Sequence, residues 1–352
     1  MASEKTKKQG IIALITGGSG FLGTSMIHEF LQDSSPVPVR ELRVFDRESL
    51  KNTEDKRISF IQGDVRNKEA LTEACRDVDL VIHSAAIVDW GTKSEEEIMA
   101  VNVQGTRNVI EACRSTGVKA LVYTSSLDVL YDGNPLIDVN ENTPYPERHA
   151  TSYCSSKYQG EVSVLEANGE ALHTCSLRPA DIYGEGDPYH IGSLLNMARG
   201  GFYVRLGNGR SRCQHVYVGN MAHAHLLVSA ALLNGNRKVQ GQAYFISDGP
   251  PSNFFAFFDP FVQAAGYRIR PENLWLPRWF AYGLGALSEG IAFLVRPIIR
   301  YSPKMSRFAV TYTCTDYTFR TRKAKNDFGF APKYSKEEAF IRTVNFFRKS
   351  SV

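Results

Sequence analysis

Residues 11–23 read IIALITGGSGFLG. Ile11–Thr16 is a continuous apolar run of strand length, and an apolar pattern of helical period follows over Phe21–Leu31. Between them Gly17, Gly20 and Gly23 stand three apart, in the order G-x-x-G-x-x-G. A pyrophosphate that lies on such a turn must come close to the backbone, and a Cβ would obstruct it. The start of the helix, at Phe21 and Leu22, then offers free N–H groups and the positive end of its dipole. Gly23 lets the helix pack near the strand. A lone glycine motif is weak evidence; one framed by a strand and a helix is strong.

The alternation continues outward from this turn. Leu42–Asp46, Ile58–Gln62, Leu80–His83, Ala120–Thr124 and Thr174–Arg178 read as strands, with helical spacing over Lys68–Arg76, Glu95–Arg114 and Ser152–Ala167. Strands alternating with helices predict an α/β fold: a doubly wound parallel sheet of the Rossmann type, covered on both faces. The expected division is a dinucleotide-binding domain over 10–185, with 213–248 partly returning to it through Tyr244–Ile246. A smaller, interwoven C-terminal lobe over 186–352 would shape a substrate pocket. Composition agrees: 43% hydrophobic and 22% charged residues exclude a disordered or fibrous chain, and a net charge of +4 is too mild to call for nucleic acid. The six cysteines form no C-x-x-C pair, which disfavours a zinc site or a disulfide scaffold and favours a reducing compartment. The polar start MASEKTKKQG does not read as a signal peptide.

Asp46 ends the second strand, where a carboxylate can accept from both ribose hydroxyls and would repel a 2′-phosphate; NAD is therefore expected over NADP. The adjacent Arg47 could soften that preference. Asp64 and Val65, after the third strand, are placed to meet the adenine edge. Ala85 and Ala86, after the fourth, let the backbone run beside the cofactor. Tyr153 and Lys157 are four apart and so share one face of a helix. A free phenol titrates near 10, and a neighbouring ammonium together with the nicotinamide would favour phenolate. Tyr153 could then take a hydroxyl proton as hydride leaves. The fifth strand ends in Tyr123-Thr124-Ser125-Ser126, and Ser126, with Ser125 as the alternative, is placed to hold a substrate oxygen in line with the phenol.

In this order TGGSGFLG, the terminal Asp46, GDV at 63–65, VNVQGTRNVIEAC at 101–113, YTSS at 123–126, YCSSK at 153–157 and LRPADIYGEG at 177–186 resemble the extended short-chain dehydrogenase/reductase superfamily. HVYVGN at 215–220, YFISDG at 244–249, the LVRPI region at 294–298 and KAKNDFGFAPKYSKEEA at 323–339 bring the chain nearest to the 3β-hydroxysteroid dehydrogenase family. The resemblance implies a cofactor contact at Pro179 and places Asn102 beside the active site, steadying a water or the fourth strand; otherwise Asn102 is a helix-start cap. It also implies NAD-dependent oxidation of a 3β-hydroxyl on a steroid or sterol, with a double-bond shift or loss of a 4-carboxyl as companion steps. Asp89, Asp128 and Asp181 are candidates for the proton transfers of such a shift.

Two other functions compete. A nucleotide-sugar epimerase or dehydratase would share the first domain, but Ser126-Leu127-Asp128-Val129 lacks the Asp-Glu pair of the dehydratases. A non-catalytic NAD sensor should lose Tyr153 or Lys157, and both are present. Trp279–Val295, flanked by Arg278 and Arg296, is short for a spanning helix, which needs about 20 apolar residues, and it carries Glu289. A peripheral or monotopic membrane contact is the preferred reading, with Phe280, Leu284, Leu287 and Ile291 facing lipid or sterol. The cytoplasmic face of the endoplasmic reticulum is the expected location and a mitochondrial membrane the alternative; a homodimer is compatible with the sequence. His223-x-His225 is assigned to a helix surface, and no metal is expected. Arg320, Arg322, Lys323 and Lys325 are assigned to a solvated loop, and Cys154 to packing.

Overall fold

The computed structural model describes residues 10–51, 54–89, 93–201, 203–269, 274–295 and 306–349. Its framework is a run of β/α units. Strands β1 (Ile11–Thr16), β2 (Val39–Asp46), β3 (Ile58–Gln62), β4 (Leu80–His83) and β5 (Ala120–Thr124) alternate with helices α1 (Phe21–Leu31), α2 (Lys68–Ala74), α3 (Glu95–Met99) and α4 (Gly105–Thr116). After the short strand β6 (Leu136–Val139) come helix α5 (Ser152–Glu166), strand β7 (His173–Pro179) and strand β8 (Asp181–Tyr183). Then follow α6 (Ile191–Arg199), β9 (Arg205–Leu206), β10 (His215–Tyr217), α7 (Val218–Leu233) and β11 (Gln242–Ile246). The rest is mostly helical: α8 (Phe254–Ala264), α9 (Arg278–Val295), α10 (Arg307–Thr313), α11 (Arg322–Phe328) and α12 (Lys336–Lys349), with strands β12 (Trp275–Leu276) and β13 (Tyr317–Phe319) between them.

Seven strands form one parallel sheet in the order β11-β7-β5-β4-β1-β2-β3. The order reverses between β1 and β4, so a crevice opens at the carboxyl ends there, as doubly wound sheets require. Alternation along β1 fills both faces. Ala13 and Ile15 join the core shared with α1 and α7, and Ile12 and Leu14 join the core under α2 and α4. The return of residues 244–246 to the sheet is strand β11, paired with β7 in the register Tyr244–Leu177.

The helix expected over Glu95–Arg114 is interrupted. Between α3 and α4 the segment Ala100–Gln104 forms a π turn, and Gly105 N–H bonds the Ala100 carbonyl five residues back. Asn102 therefore lies inside a helical segment and is not a helix-start cap. Its amide takes Ile87 N–H at 2.7 Å and donates to Ile87 O at 3.0 Å and to Ser156 Oγ at 2.9 Å. One side chain thus ties the loop after β4 to α5, the helix that carries Tyr153.

Candidate active site

The crevice is a cavity of about 390 Å³ lined by the glycine turn, by Asp46, Asp64, Val65, Ala85 and Ala86, and by Ser126, Tyr153, Lys157 and Pro179. All the residues singled out for cofactor and catalysis meet at this one cavity. Phe21 and Leu22, in the first turn of α1, line it too. The helix starts at Gly20 with no side chain capping it, so its first N–H groups are free for an anion.

The glycines have different duties. Gly17 has φ +73°, and a Cβ there would stand 2.7 Å from Ala85 N and Cα. At Gly23 a Cβ would meet Gly17 O at 2.3 Å and Gly18 Cα at 2.5 Å, so α1 packs on the turn itself. Gly20 is exposed, and the nearest atom to its Cβ position is Gly17 O at 3.2 Å. The turn therefore keeps an open backbone where a pyrophosphate would lie, which fits a dinucleotide.

Asp46 takes Ser19 N–H on Oδ2 at 2.9 Å and Glu48 N–H on Oδ1 at 3.0 Å. The carboxylate is pinned at the strand end, with lone pairs left for further donors. Asp64 is more committed. It pairs with Arg66 at 2.5 Å and with Arg47 at 3.7 Å, and the Arg66 guanidinium holds its carboxyl below the usual range. Arg47, which also lines the cavity, thus leans on Asp64.

At the reactive end Thr151 caps α5 by accepting Cys154 N–H, and the helix starts at Ser152, one residue before Tyr153. Ser126 Oγ donates to Asp128 Oδ2 at 2.7 Å, and Ser125 Oγ, buried beside it, has no partner among the described residues. Burial lifts the Asp128 carboxyl to about 6, against the pull of the Ser126 hydroxyl. Lys157 is buried, donates to Thr124 O at 2.7 Å and lies 4.3 Å over the Tyr123 ring. Burial brings it down to about 7, opposed by the charges of Glu161 and Asp128. The Tyr153 phenol is pushed well up by burial and then by the Asp128 carboxylate, and drawn down by Ser126. The sequence reading had an ammonium as the phenol's charged neighbour; in the folded chain Asp128 is its leading charged neighbour.

Two further expectations change. His225 is not on a helix surface: α7 is covered by α1 and by β5, so His225 is wholly buried and bonds Thr124 Oγ1 at 2.8 Å. Arg320 pairs with Asp138 at 2.5 Å, and Lys323 donates to Gln242 and Ala243 on the sheet edge, so half of the basic run is tied down. Glu289 is paired with Arg307, taking its N–H at 2.8 Å and its Nε–H at 2.6 Å. Arg296, the second flanking arginine, lies outside the described residues. Among the described residues no helix is long and apolar enough to cross a membrane.

Two clusters were missed from sequence. One is a buried ion pair, Glu161–Arg178, joining α5 to β7 at 2.7 Å. The other is buried behind Asp181, a residue of the cavity lining, where Asp181, Cys213 and His215 come within 4.8 Å of one another. Adjacent parallel strands pair His215 with Asp181, and Cys213 is two residues before His215. Cys213 Sγ approaches His215 Nε2 at 3.6 Å, whereas Asp181 Oδ2 approaches Nδ1 at 3.9 Å. Thiol and carboxylate approach opposite nitrogens of one ring, and the 3.9 Å gap between carboxylate and Nδ1 is longer than a hydrogen bond.

A Rossmann crevice that gathers a glycine turn, a carboxylate at the end of β2 and a Ser/Tyr/Lys set fits a nicotinamide-dinucleotide oxidoreductase of the extended short-chain type. Residues 14–278 match the profile of the 3-beta hydroxysteroid dehydrogenase/isomerase family. The chain is 38% identical over 364 residues to 3 beta-hydroxysteroid dehydrogenase type 7 of Homo sapiens, covering 97% of each. It is 33% identical to short-chain dehydrogenase/reductase family 42E member 1 of Xenopus laevis, covering 95% of this chain and 87% of that one. Among solved structures, DesIV, a dTDP-glucose 4,6-dehydratase from Streptomyces venezuelae, superposes with a TM-score of 0.74 at 19% identity, over 96% of this chain and 97% of that one. The chain belongs to the 3-beta hydroxysteroid dehydrogenase/isomerase family and is an NAD-dependent oxidoreductase.

Proposed function

We propose that the chain oxidises the 3β-hydroxyl of a membrane-soluble steroid or sterol to the 3-ketone. The observation that carries this reading is the joining of Ser126, Tyr153 and Lys157 to the dinucleotide turn in one cavity whose far wall is aromatic, with Phe308 and Tyr312 on α10. Bound NAD would supply the acceptor for the hydrogen and electron pair that leave C3. Tyr153 takes the hydroxyl proton. Ser126 spends its own O–H on Asp128 and accepts Asp128 N–H at 3.2 Å, which leaves one lone pair for the substrate hydroxyl. Lys157 keeps one N–H on Thr124 O and turns its others to the nicotinamide ribose.

The test is NADH formation at 340 nm over a panel: a 3β-hydroxy-Δ5 steroid, a 4-carboxysterol and a nucleotide sugar. Turnover of either steroid supports the reading and tells simple oxidation from oxidation with loss of the carboxyl. Turnover of the nucleotide sugar alone overturns it. The cofactor preference has its own test. Asp46→Ala is expected to weaken NAD more than NADP, by about 10–100-fold in their ratio, because hydrogen bonds to a charged acceptor are lost on one cofactor only. Fluorescence titration of both cofactors measures it, and an unchanged ratio assigns the preference to another residue.

Substrate supply points to a bilayer. Trp279, Leu287 and Leu294 on α9 are 76%, 62% and 75% exposed, and Phe280, Tyr282, Leu284 and Ile291 are exposed as well. So large an apolar face is unusual on a free surface. Over the described residues the helix is not long and apolar enough to span, and its acidic residue is neutralised by Arg307, which suits a helix lying in the interface. Helix α10, which packs on α9, also lines the pocket, so lipid and active site share one wall. The full chain is expected to sediment with membranes and to be released by detergent and not by salt. Replacing Leu284, Leu287 and Ile291 with Ser should move it to the soluble fraction; wild-type chain already soluble without detergent sinks the membrane reading.

A further inference from the structure

Ser126 and Asp128 close a small ring of hydrogen bonds beside the candidate base. Just after β5 the chain enters a 3-10 turn, Leu127–Leu130, with Ser126 as its N-cap. The Ser126 hydroxyl donates to Asp128 Oδ2 at 2.7 Å and accepts Asp128 N–H at 3.2 Å. Both residues are buried, and both line the cavity that Tyr153 lines. Asp128 Oδ1 has no hydrogen-bond partner among the described residues. A hydroxyl has one proton and two lone pairs. An ionised carboxylate only accepts, so charge fixes the direction of the 2.7 Å bond: its proton comes from Ser126. With one lone pair taken by the N–H, one lone pair is left. In this state Ser126 offers the cavity an acceptor and no donor.

Resting on the proposed oxidation of a 3β-hydroxysteroid, we propose that Asp128 is a positioning residue that decides, through Ser126, which oxidation state of the steroid the site receives: ionised, it admits the alcohol and disfavours the ketone. An alcohol can donate its proton to the remaining lone pair of Ser126. A ketone oxygen only accepts, and it meets that lone pair with no proton between them. Tyr153 does not discriminate, because a protonated phenol both donates and accepts. When Asp128 takes up one proton from solvent, the ring reverses. A proton on Oδ1 finds no acceptor among the described residues, whereas Oδ2 lies 2.7 Å from Ser126 Oγ. The carboxyl then donates to Ser126 and the Asp128 N–H does so still. Both lone pairs of Ser126 are occupied and its O–H is released, so it offers the cavity a donor and no acceptor. That state matches the ketone. No bond of the steroid is made or broken by the reversal.

The surroundings of Asp128 place the reversal within reach of ordinary pH. Burial lifts its carboxyl to about 6, and the Ser126 hydroxyl pulls against burial. Three charged or titratable groups from other elements act on it: Asp181 on β8 raises it, and His190, just before α6, and Lys157 on α5 lower it. Its charge in turn raises the phenols of Tyr153, Tyr131, Tyr312 and Tyr317 and the thiol of Cys154, with burial the larger cause in each. Those five groups keep their protons across the neutral range of the free protein. Above about pH 6 Ser126 therefore presents its lone pair, and below it presents its proton. At neutral pH the site is set to take in the alcohol, and the ketone formed there faces an acceptor, which favours its release.

The experiment uses the full chain in two unreactive complexes. A saturated 3β-hydroxysteroid is titrated onto the chain with NADH, and the matching 3-ketosteroid onto the chain with NAD. Quenching of tryptophan fluorescence gives both dissociation constants between about pH 5 and pH 8, a span chosen to bracket the Asp128 carboxyl. The ratio of ketone to alcohol affinity is expected to rise about 10-fold as pH falls through that carboxyl's range, the scale of one hydrogen bond gained by the ketone and one lost by the alcohol. In Asp128→Asn the ratio should be flat, because an amide does not titrate. A wild-type ratio that does not move with pH overturns the proposal. So does a step that persists undiminished in Asp128→Asn, which hands it to His190 or Lys157. If Asp128→Asn melts early, Ser126→Ala is read in its place: it keeps the carboxylate and removes the hydroxyl, so loss of the step supports the proposal and its persistence refutes it. Absence of NADH from every 3β-hydroxysteroid refutes the proposed oxidation instead, and the alcohol and ketone of whichever panel substrate does yield NADH then decide the role of Asp128.

Discussion

Tyr153→Phe is expected to lower kcat for steroid oxidation about 10²–10⁴-fold while NAD binds with nearly wild-type affinity. The substitution removes one oxygen from a helix that Thr151 caps and Asn102 ties in place, so the backbone has no reason to move. What is lost is the phenol that lines the cavity together with Ser126, and with it the proposed acceptor for the substrate proton. The phenol is pushed up by burial and by Asp128, so in the free protein it is protonated across the neutral range. It becomes a base only when positive charge enters the crevice beside it. The rate of Tyr153-dependent oxidation should therefore rise with pH, and the residual rate of Tyr153→Phe should not share that rise. Near-normal kcat in the variant would remove Tyr153 from the mechanism.

Breaking the Glu161–Arg178 pair is expected to cost about 3–5 kcal/mol of stability, read as a fall in the urea midpoint. Both side chains are almost completely buried. Glu161 takes Tyr145 OH at 2.7 Å, Ser176 Oγ at 2.7 Å and Arg178 through both Nε and Nη2. Arg178→Met leaves that carboxylate without its cation in a site that water does not reach. Glu161→Gln also withdraws a charge that supports the Lys157 ammonium one turn earlier on α5, so the lysine should deprotonate more readily and cofactor affinity should weaken at neutral pH. The double variant Glu161→Gln/Arg178→Met should recover part of the loss, because neither charge is then stranded. Equal loss in single and double variants would mean that packing, and not charge, holds α5 to β7.

The parts of this molecule that could be read from sequence are those in which chemistry is local. The glycine turn is legible because three glycines, the strand before them and the helix after them are contiguous. Tyr153 and Lys157 are legible because one helical turn fixes their relation. The strand ends at Asp46 and Ser126 follow from knowing that a parallel sheet presents its carboxyl ends to a ligand. What stayed hidden depends on partners far apart in sequence. Glu161 and Arg178 look like a solvated helix residue and a strand residue until α5 is laid on β7. Asp181 and His215 meet only because β8 and β10 pair, and nothing in the spacing of either announces it. His225 reads as a surface histidine because the second layer over α7 is not visible in the sequence of α7. For Asn102 the family resemblance pointed beside the active site and the local pattern pointed to a cap, and its bonds to Ile87 and Ser156 decide for the first.

The π turn at Ala100–Gln104 also carries information in its length. It holds one residue more than an ordinary helical turn, so the helix before it is set about 100° out of phase with α4. That offset is what aims Asn102 at Ile87 and Ser156. Deleting any one residue of the segment other than Asn102 would let the ladder close as regular helix and rotate Asn102 away from both, with every side chain of α4 still in place. The link between the cofactor side of the crevice and the Tyr153 helix is therefore encoded by a residue count as well as by a residue type. A related chain that keeps an asparagine here but is one residue shorter would align well on paper and lack the strut.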